Sequence, residues 1–454
     1  MKKITLLLVL LCMSVVVKAQ QHKIPSSIKE FVKARVDTDK NVGIVVGYIN
    51  GDAIEYFSYG KTALTNGTDV NENSVFEIGS ISKTFTTIML SDQVLQGNMK
   101  LSDPISKYLP EGVKVPTQND KEITLKDLAT HSSGLPRMPD NFTPANPNNP
   151  FADYSVEQVY SFLSAHELSR DIGESYEYSN YGMGLLGHIL ELKSGKGYEA
   201  LMIEKIANTY GMGDTRIAFT PAMKARLAKG HTAGREAENW DINSLAGAGG
   251  IRSTASDMVK FIKANMTPQD TPMSKAMQLS HQSAYSNAAQ NFEMGLGWHY
   301  ANTGDSKKVI WHNGGTGGYR AFAGFIEGTQ KGVVVLTNST ESIDDLGLAV
   351  LDPTRKLTLP KKVEEITVAE EVLETYVGKY ELTPEFHIVV TRTGQQLFVQ
   401  ATGQPQFEIF ASAQNEFFLK VVEASVTFNK DANGKVESLT LHQGGQNVPG
   451  KKIE

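Results

Sequence analysis

The sequence predicts an α/β protein in which strands from both ends of one unit share an antiparallel sheet and a helical subdomain fills the middle. A small all-β barrel follows. Three observations carry this. Strand-like runs at 42–49 and 53–59 open the unit, and runs at 309–312, 319–326 and 332–337 close it. Between them the apolar spacing is helical. From about residue 367 the chain is all strand, with seven or eight short runs parted by turn residues such as Arg392-Thr393-Gly394 and Asn433-Gly434.

In chain order, 24–36 reads as a short amphipathic helix opened by Pro25-Ser26. Asn50-Gly51 joins the first two strands as a hairpin. Residues 80–96 carry Phe85, Ile88, Met89 and Leu95 at helical spacing and end at Gly97-Asn98, a C-cap. A short helix is expected at 124–131. The stretch 134–150 holds five prolines and four asparagines and reads as a long loop. Helical patterns return at 155–166, 181–194 and 197–210. Residues 247–250, "GAGG", read as a second flexible segment, and Ser256 opens a helix to Ala264. Residues 353–366, charged and proline-bearing, read as a linker. The expected organisation is 1–19, 23–352, 353–366 and 367–454.

The first 19 residues stand apart. Lys2 and Lys3 precede an almost wholly apolar run at 4–17, and Ala19 offers a small residue before a cleavage point. At about 14 residues the run is short of the ~20 needed to span a bilayer, so a secretory signal is read rather than a membrane anchor. Export to the periplasm or the medium follows. Cys12, the only cysteine, leaves with this segment. The mature chain then has no thiol, disulfide or thiolate metal site. Losing Lys2, Lys3 and Lys18 takes the formal charge from −6 to −9. With no basic patch, nucleic acid is excluded as a partner.

Three constellations could carry chemistry. In "FEIGSISKTF", Ser80 and Lys83 lie three apart at a helix start, on one face. A serine hydroxyl needs a base, and a desolvated lysine can be one. A helix N-terminus also favours a nearby oxyanion. The alternative is a helix cap, and Ser26/Lys29 repeats the spacing where only surface is expected. Next, Tyr178-Ser179-Asn180 stands before a helix. A phenol can share a proton with Ser80 and Lys83, and an amide can orient a carbonyl. Tyr-x-Asn recurs at Tyr48/Asn50, Tyr285/Asn287 and Tyr300/Asn302, the last two in polar stretches of weak pattern. Third, His312, Gly314 and Gly315 lie at a strand end, where glycine lets another backbone approach. His442-Gln443-Gly444 repeats that pattern within a turn of the tail.

The order Ser-x-x-Lys, Tyr-x-Asn, His-x-Gly resembles the serine β-lactamase and penicillin-recognising family, closest to class C β-lactamases and their esterase and D-aminopeptidase relatives. "LATHSSGLP" (128–136), "GESYEYSNYGMGLLG" (173–187) and "GAGGIRSTASDMVKF" (247–261) are similar too, with His131 and Ser133 read as scaffold. The resemblance covers residues 25–350, and the tail resembles the lipocalin-like barrel appended to some members. It implies a β-lactamase-like fold and an acyl-enzyme on Ser80, with Lys83 and Tyr178 as the proton-transfer pair. Asn180 would bind the substrate's amide or acyl side chain, and the N–H groups of Ser80 and Gly315 would form an oxyanion hole. No cofactor and no metal are implied. The substrate is a small molecule or peptide with an ester, amide, β-lactam or D-peptide bond.

One departure matters. His312 stands where β-lactamases and cell-wall carboxypeptidases usually carry lysine, and a neutral imidazole attracts a carboxylate less well. Arg320 is a candidate for the missing cation. A broad serine hydrolase is therefore ranked above a dedicated class C β-lactamase. A catalytically silent ligand- or peptidoglycan-binding protein of the same fold is the reading from another class.

Overall fold

The computed structural model describes residues 23–420 and 424–454. The expected signal segment 1–19, with Cys12, lies outside them. The chain divides into two compact units, one made mostly of residues up to Leu359 and the other mostly of Pro360–Glu454.

The first unit is built on an eight-stranded antiparallel sheet. Its order is Ala53–Gly60, Gly43–Asn50, Lys331–Thr337, Arg320–Ile326, Lys308–Gly315, His299–Asn302, Phe292–Met294, Tyr285–Asn287. The pairing of Ile44 with Thr337 joins the two ends of the unit, as the distribution of strands predicts. Both faces of this sheet are covered, so its central strands are buried and mostly apolar along their length. Val45 and Ile49 face the large helical core with Phe85, Leu186 and Phe261. Ile44, Val46 and Tyr48 face a second core under the helices Ser26–Asp37 and Asp344–Leu351.

The hairpin turn falls one residue later than the Asn-Gly pair suggests. Asn50 pairs with Ala53, and Gly51 (φ +66°) takes the first central position, where a positive φ costs glycine little. The helix Ser82–Leu95 runs through the helical core, buried at every position from Ser82 to Asp92. Its buried hydroxyls bond to carbonyls of their own preceding turn, as Thr84 does to Ile81 O (2.8 Å) and Ser91 to Thr87 O (2.8 Å). The helix expected from Ser256 starts earlier, at Ala255, because Thr254 caps it by accepting from Asp257 N.

Two expectations fail here. Residues 247–250 are not a flexible segment: Ala246–Gly249 is a buried helical turn. The polar stretches around Tyr285 and Tyr300 are strands at one margin of the sheet, too short to show a period.

In the second unit eight antiparallel strands close into a barrel, with Tyr380 of the first opposite Lys452 of the last. The tail is not wholly strand, since a helix, Glu370–Tyr376, precedes it. Tyr376, Tyr380, Phe417 and Phe428 form its aromatic core.

Candidate active site

Ser80 lies in a tight 3₁₀ turn, Gly79–Ile81, that feeds the central helix. It does not cap that helix. The N-cap position is Ile81, with no side-chain capping bond. Instead Ser80 Oγ lies 2.9 Å from Lys83 Nζ. The alternative read from the sequence is therefore not the role the side chain takes.

Lys83 is fully buried, and its amine has three neighbours within hydrogen-bond reach. Beside Ser80 Oγ these are Asn180 Oδ1 at 2.9 Å and the carbonyl oxygen of Ala248 at 2.6 Å. Burial holds the amine well below the usual lysine range, and the positive charge of Arg137 pushes it the same way. Ala248 sits on the turn that sequence reasoning took for a flexible link. That turn packs on the helix Asn180–Ser194, where an added Cβ at Gly187 would stand 2.9 Å from Gly247 Cα. The glycines of "GAGG" permit close helix packing.

Tyr178 is placed by His131. The His131 ring accepts from Ser179 N (3.1 Å) and its carbonyl accepts from Glu177 N (2.8 Å), gripping Tyr178 from both sides along the chain. The two rings lie 4.5 Å apart. Lys83 Nζ lies 4.8 Å from the Tyr178 ring centre, and Arg137 Cζ lies 5.1 Å from it. Burial pushes the phenol up to about 12, partly offset by Ser80 and Arg137.

The strand Lys308–Gly315 lies directly against the Ser80 turn. A Cβ added at Gly314 would collide with the Ile78 carbonyl oxygen and stand 3.1 Å from Ser80 N; one at Gly79 would stand 2.6 Å from Gly315 N. The ladder bonds Glu327 N→Lys308 O and Thr316 N→Tyr319 O mark the even-numbered positions as the hydrogen-bonded pairs. Gly315 therefore turns its N–H away from Arg320. On that other side the neighbouring strand pairs only as far as Trp311, leaving the N–H of Gly315 clear of the sheet.

The same alternation places His312 and Gly314 on the Ser80 face, and Asn313, Gly315 and Arg320 on the other. Asn313 bonds to Asp344 (2.6 Å) there. Arg320 donates to the carbonyls of Thr316 (3.2 Å) and Tyr319 (2.9 Å), and its charged neighbours are Asp344 and Glu341. Arg320 is thus not the cation missing at His312, a correction that sheet parity explains.

His312 is fully buried. Its Nδ1–H donates to the carbonyl oxygen of Asn313 at 2.5 Å, and Nε2 has no hydrogen-bond partner among the described residues. Burial holds it well below the usual imidazole range, with His299 and Lys83 adding to the effect. His299, 4.7 Å from it ring to ring, is held down to about 4 by burial. Both shifts favour the neutral imidazole.

The structure thus brings Ser80, Lys83, Tyr178, Asn180, His312, Gly314 and Gly315 to one place. Sequence reasoning missed Ala248 O, which has no side-chain signature. It also missed Arg137, which belongs to the loop 134–150 and was legible only as one residue among many.

A serine hydroxyl that meets both a buried amine and a phenol, on this scaffold, is the arrangement of a serine hydrolase. A profile of the family described as Beta-lactamase matches residues 28–350, and this chain belongs to that family. Residues 362–452 match a domain of unknown function, DUF3471. The D-alanyl-D-alanine-carboxypeptidase/endopeptidase AmpH of Escherichia coli K12 is 31% identical over 341 residues, covering 70% of this chain and 87% of its own. Penicillin-binding protein 4* of Bacillus subtilis is 26% identical over 442 residues, covering 89% and 93%. Among solved structures, a class C β-lactamase matches with a TM-score of 0.64 at 23% identity, covering 74% of this chain and 97% of its own. At those identities the likeness speaks for the fold.

Proposed function

We propose that this chain is an exported hydrolase that cleaves an ester, amide, β-lactam or D-peptide bond through an acyl-enzyme on Ser80. The observation that carries this is the set of partners around Lys83. A neutral amine has two hydrogens and one lone pair. Asn180 Oδ1 and Ala248 O can only accept, so they take the two hydrogens. Burial favours the neutral amine, and in that form its lone pair is left for the Ser80 hydroxyl, whose oxygen lies 2.9 Å away. With Tyr178 held as a phenol, Lys83 is the base of the free enzyme.

In the forward step Ser80 Oγ bonds to the carbonyl carbon while its proton passes to Lys83. The carbonyl π pair moves onto oxygen, between the N–H groups of Ser80 and Gly315. As the bond to the leaving group breaks, the departing atom takes a proton from Tyr178, which Lys83 replenishes. Water then adds to the acyl carbon with the same groups in reverse, releasing the acid and restoring Ser80.

His312 supports a peptide, amide or ester substrate ahead of a dedicated β-lactamase role, because a buried neutral imidazole offers a carboxylate no charge. Export rests on residues 1–19; among the described residues no helix is long and apolar enough to cross a membrane.

The test is mass spectrometry of the protein incubated with a panel of esters, amides, β-lactams and D-peptides. An acyl or fluorophosphonate adduct on Ser80, lost in Ser80→Ala, is expected. An adduct that persists undiminished in that variant rules the assignment out.

A further inference from the structure

Arg137 is exposed, yet its position is fixed. Its carbonyl accepts from Asn180 N (3.0 Å) and Tyr181 N (3.3 Å), so the loop is pinned to the start of the helix Asn180–Ser194. Its guanidinium carbon lies 5.1 Å from the centre of the Tyr178 ring, the same ring whose centre is 4.8 Å from the buried amine of Lys83. Among the described residues no acidic side chain forms an ion pair with Arg137, whose charge acts on the buried amine of Lys83. The neighbouring Arg170 is by contrast paired with Glu177 at 3.1 Å. The other charged candidates do not serve: Arg320 faces the far side of the sheet, and His312 is buried.

We propose that Arg137 forms an anion subsite at the mouth of the catalytic centre, selecting substrates whose acyl part carries a carboxylate. The proposal rests on Ser80 as nucleophile and deepens that reading. The acyl side is indicated because Arg137 and the next residue border Asn180: Met138 Sδ lies 3.9 Å from Asn180 Nδ2. A guanidinium offers a carboxylate two parallel donors, a fork that lysine lacks. The unpaired charge beside Lys83 also has a use here. It disfavours the ammonium in the free enzyme, and a bound carboxylate would neutralise it.

The test compares two esters of equal chain length, p-nitrophenyl hydrogen glutarate and p-nitrophenyl pentanoate. Wild type should favour the anionic ester in kcat/KM, and Arg137→Gln should cut that preference about tenfold, the scale of one solvent-accessible charge-assisted contact. Arg137→Lys, which keeps charge but not the fork, should fall between. A preference unchanged in Arg137→Gln overturns the subsite, as does an equal loss on both esters, which would make Arg137 a positioning residue for Tyr178. Binding supplies a readout without turnover. Calorimetric affinity of the Ser80→Ala protein for glutarate should drop about tenfold when Arg137→Gln is added, and no drop overturns the proposal. Turnover surviving in Ser80→Ala would instead sink the nucleophile assignment, leaving the calorimetry to judge Arg137 alone.

Discussion

Asn180 Oδ1 lies 2.9 Å from Lys83 Nζ, and this contact ties the helix Asn180–Ser194 to the central helix Ser82–Leu95. A neutral acceptor at this point directs one hydrogen of the amine while favouring its charged form only weakly. A carboxylate would favour the ammonium. Asn180→Asp should therefore lower kcat/KM at pH 7 by about a hundredfold, and Asn180→Ala by about tenfold. Steady-state rates on one ester decide it; an Asp variant more active than the Ala variant would contradict this role of Asn180.

The pH profile should carry the same signature. Lys83 is held well below the usual lysine range, so activity should rise with pH along a limb that lies well below that range. Tyr178, pushed up to about 12, should stay protonated throughout the working range. Removing a nearby positive charge makes the ammonium easier to keep, so Arg137→Gln should move the rising limb of kcat/KM to higher pH. An unmoved limb would separate Arg137 from the amine's titration.

Two glycines set the spacing of the site. Gly314→Ala would drive a methyl group into the Ile78 carbonyl, beside Ser80 N. Overpacking of this kind costs about 1–3 kcal/mol, and here the displaced backbone is that of the nucleophile. Thermal unfolding should show the loss, and acylation of Ser80 should fall by more than the folded fraction does. Gly187→Ala should act from the other side, pushing the turn that carries Ala248 off the helix.

The buried pair Glu77–Arg252 lies three residues upstream of Ser80, with N–O 3.4 Å and both side chains 3% exposed. Glu77 also accepts from Trp240 N (2.9 Å) and Asn239 Nδ2 (3.0 Å). Burial raises the Glu77 carboxyl, opposed first by Arg252. Arg252→Met would strand that carboxylate, costing about 3–5 kcal/mol at pH 7. A raised folded-state pKa means that protonation favours the folded form, so the deficit should shrink as pH falls through it. Denaturant titrations at pH 7 and pH 5 measure both effects; a deficit constant with pH would point to lost packing instead.

Local signals were the legible part of this chain. The Ser80/Lys83 spacing, the glycine of the first hairpin and the barrel strands are all written within a few residues, where helix period, strand alternation and turn chemistry act. The short strands at Tyr285 and His299 escaped because three or four residues cannot display a period. "GAGG" misled because the glycines that loosen a loop also let two helices touch.

Taken alone, the sequence determined which side chains are available and on which kind of element each sits. It named Ser80, Lys83, Tyr178, Asn180 and the 312–315 strand end as candidates, and it set His312 against the usual lysine. Tertiary structure alone decided their surroundings. It buried Lys83 between two carbonyl acceptors, one of them the backbone of Ala248, and it turned Arg320 to the far face of the sheet. It also left Arg137, an unremarked loop residue, as the charge beside the amine. Desolvation, strand parity and the approach of distant backbone depend on contacts between remote residues, and no local pattern encodes them.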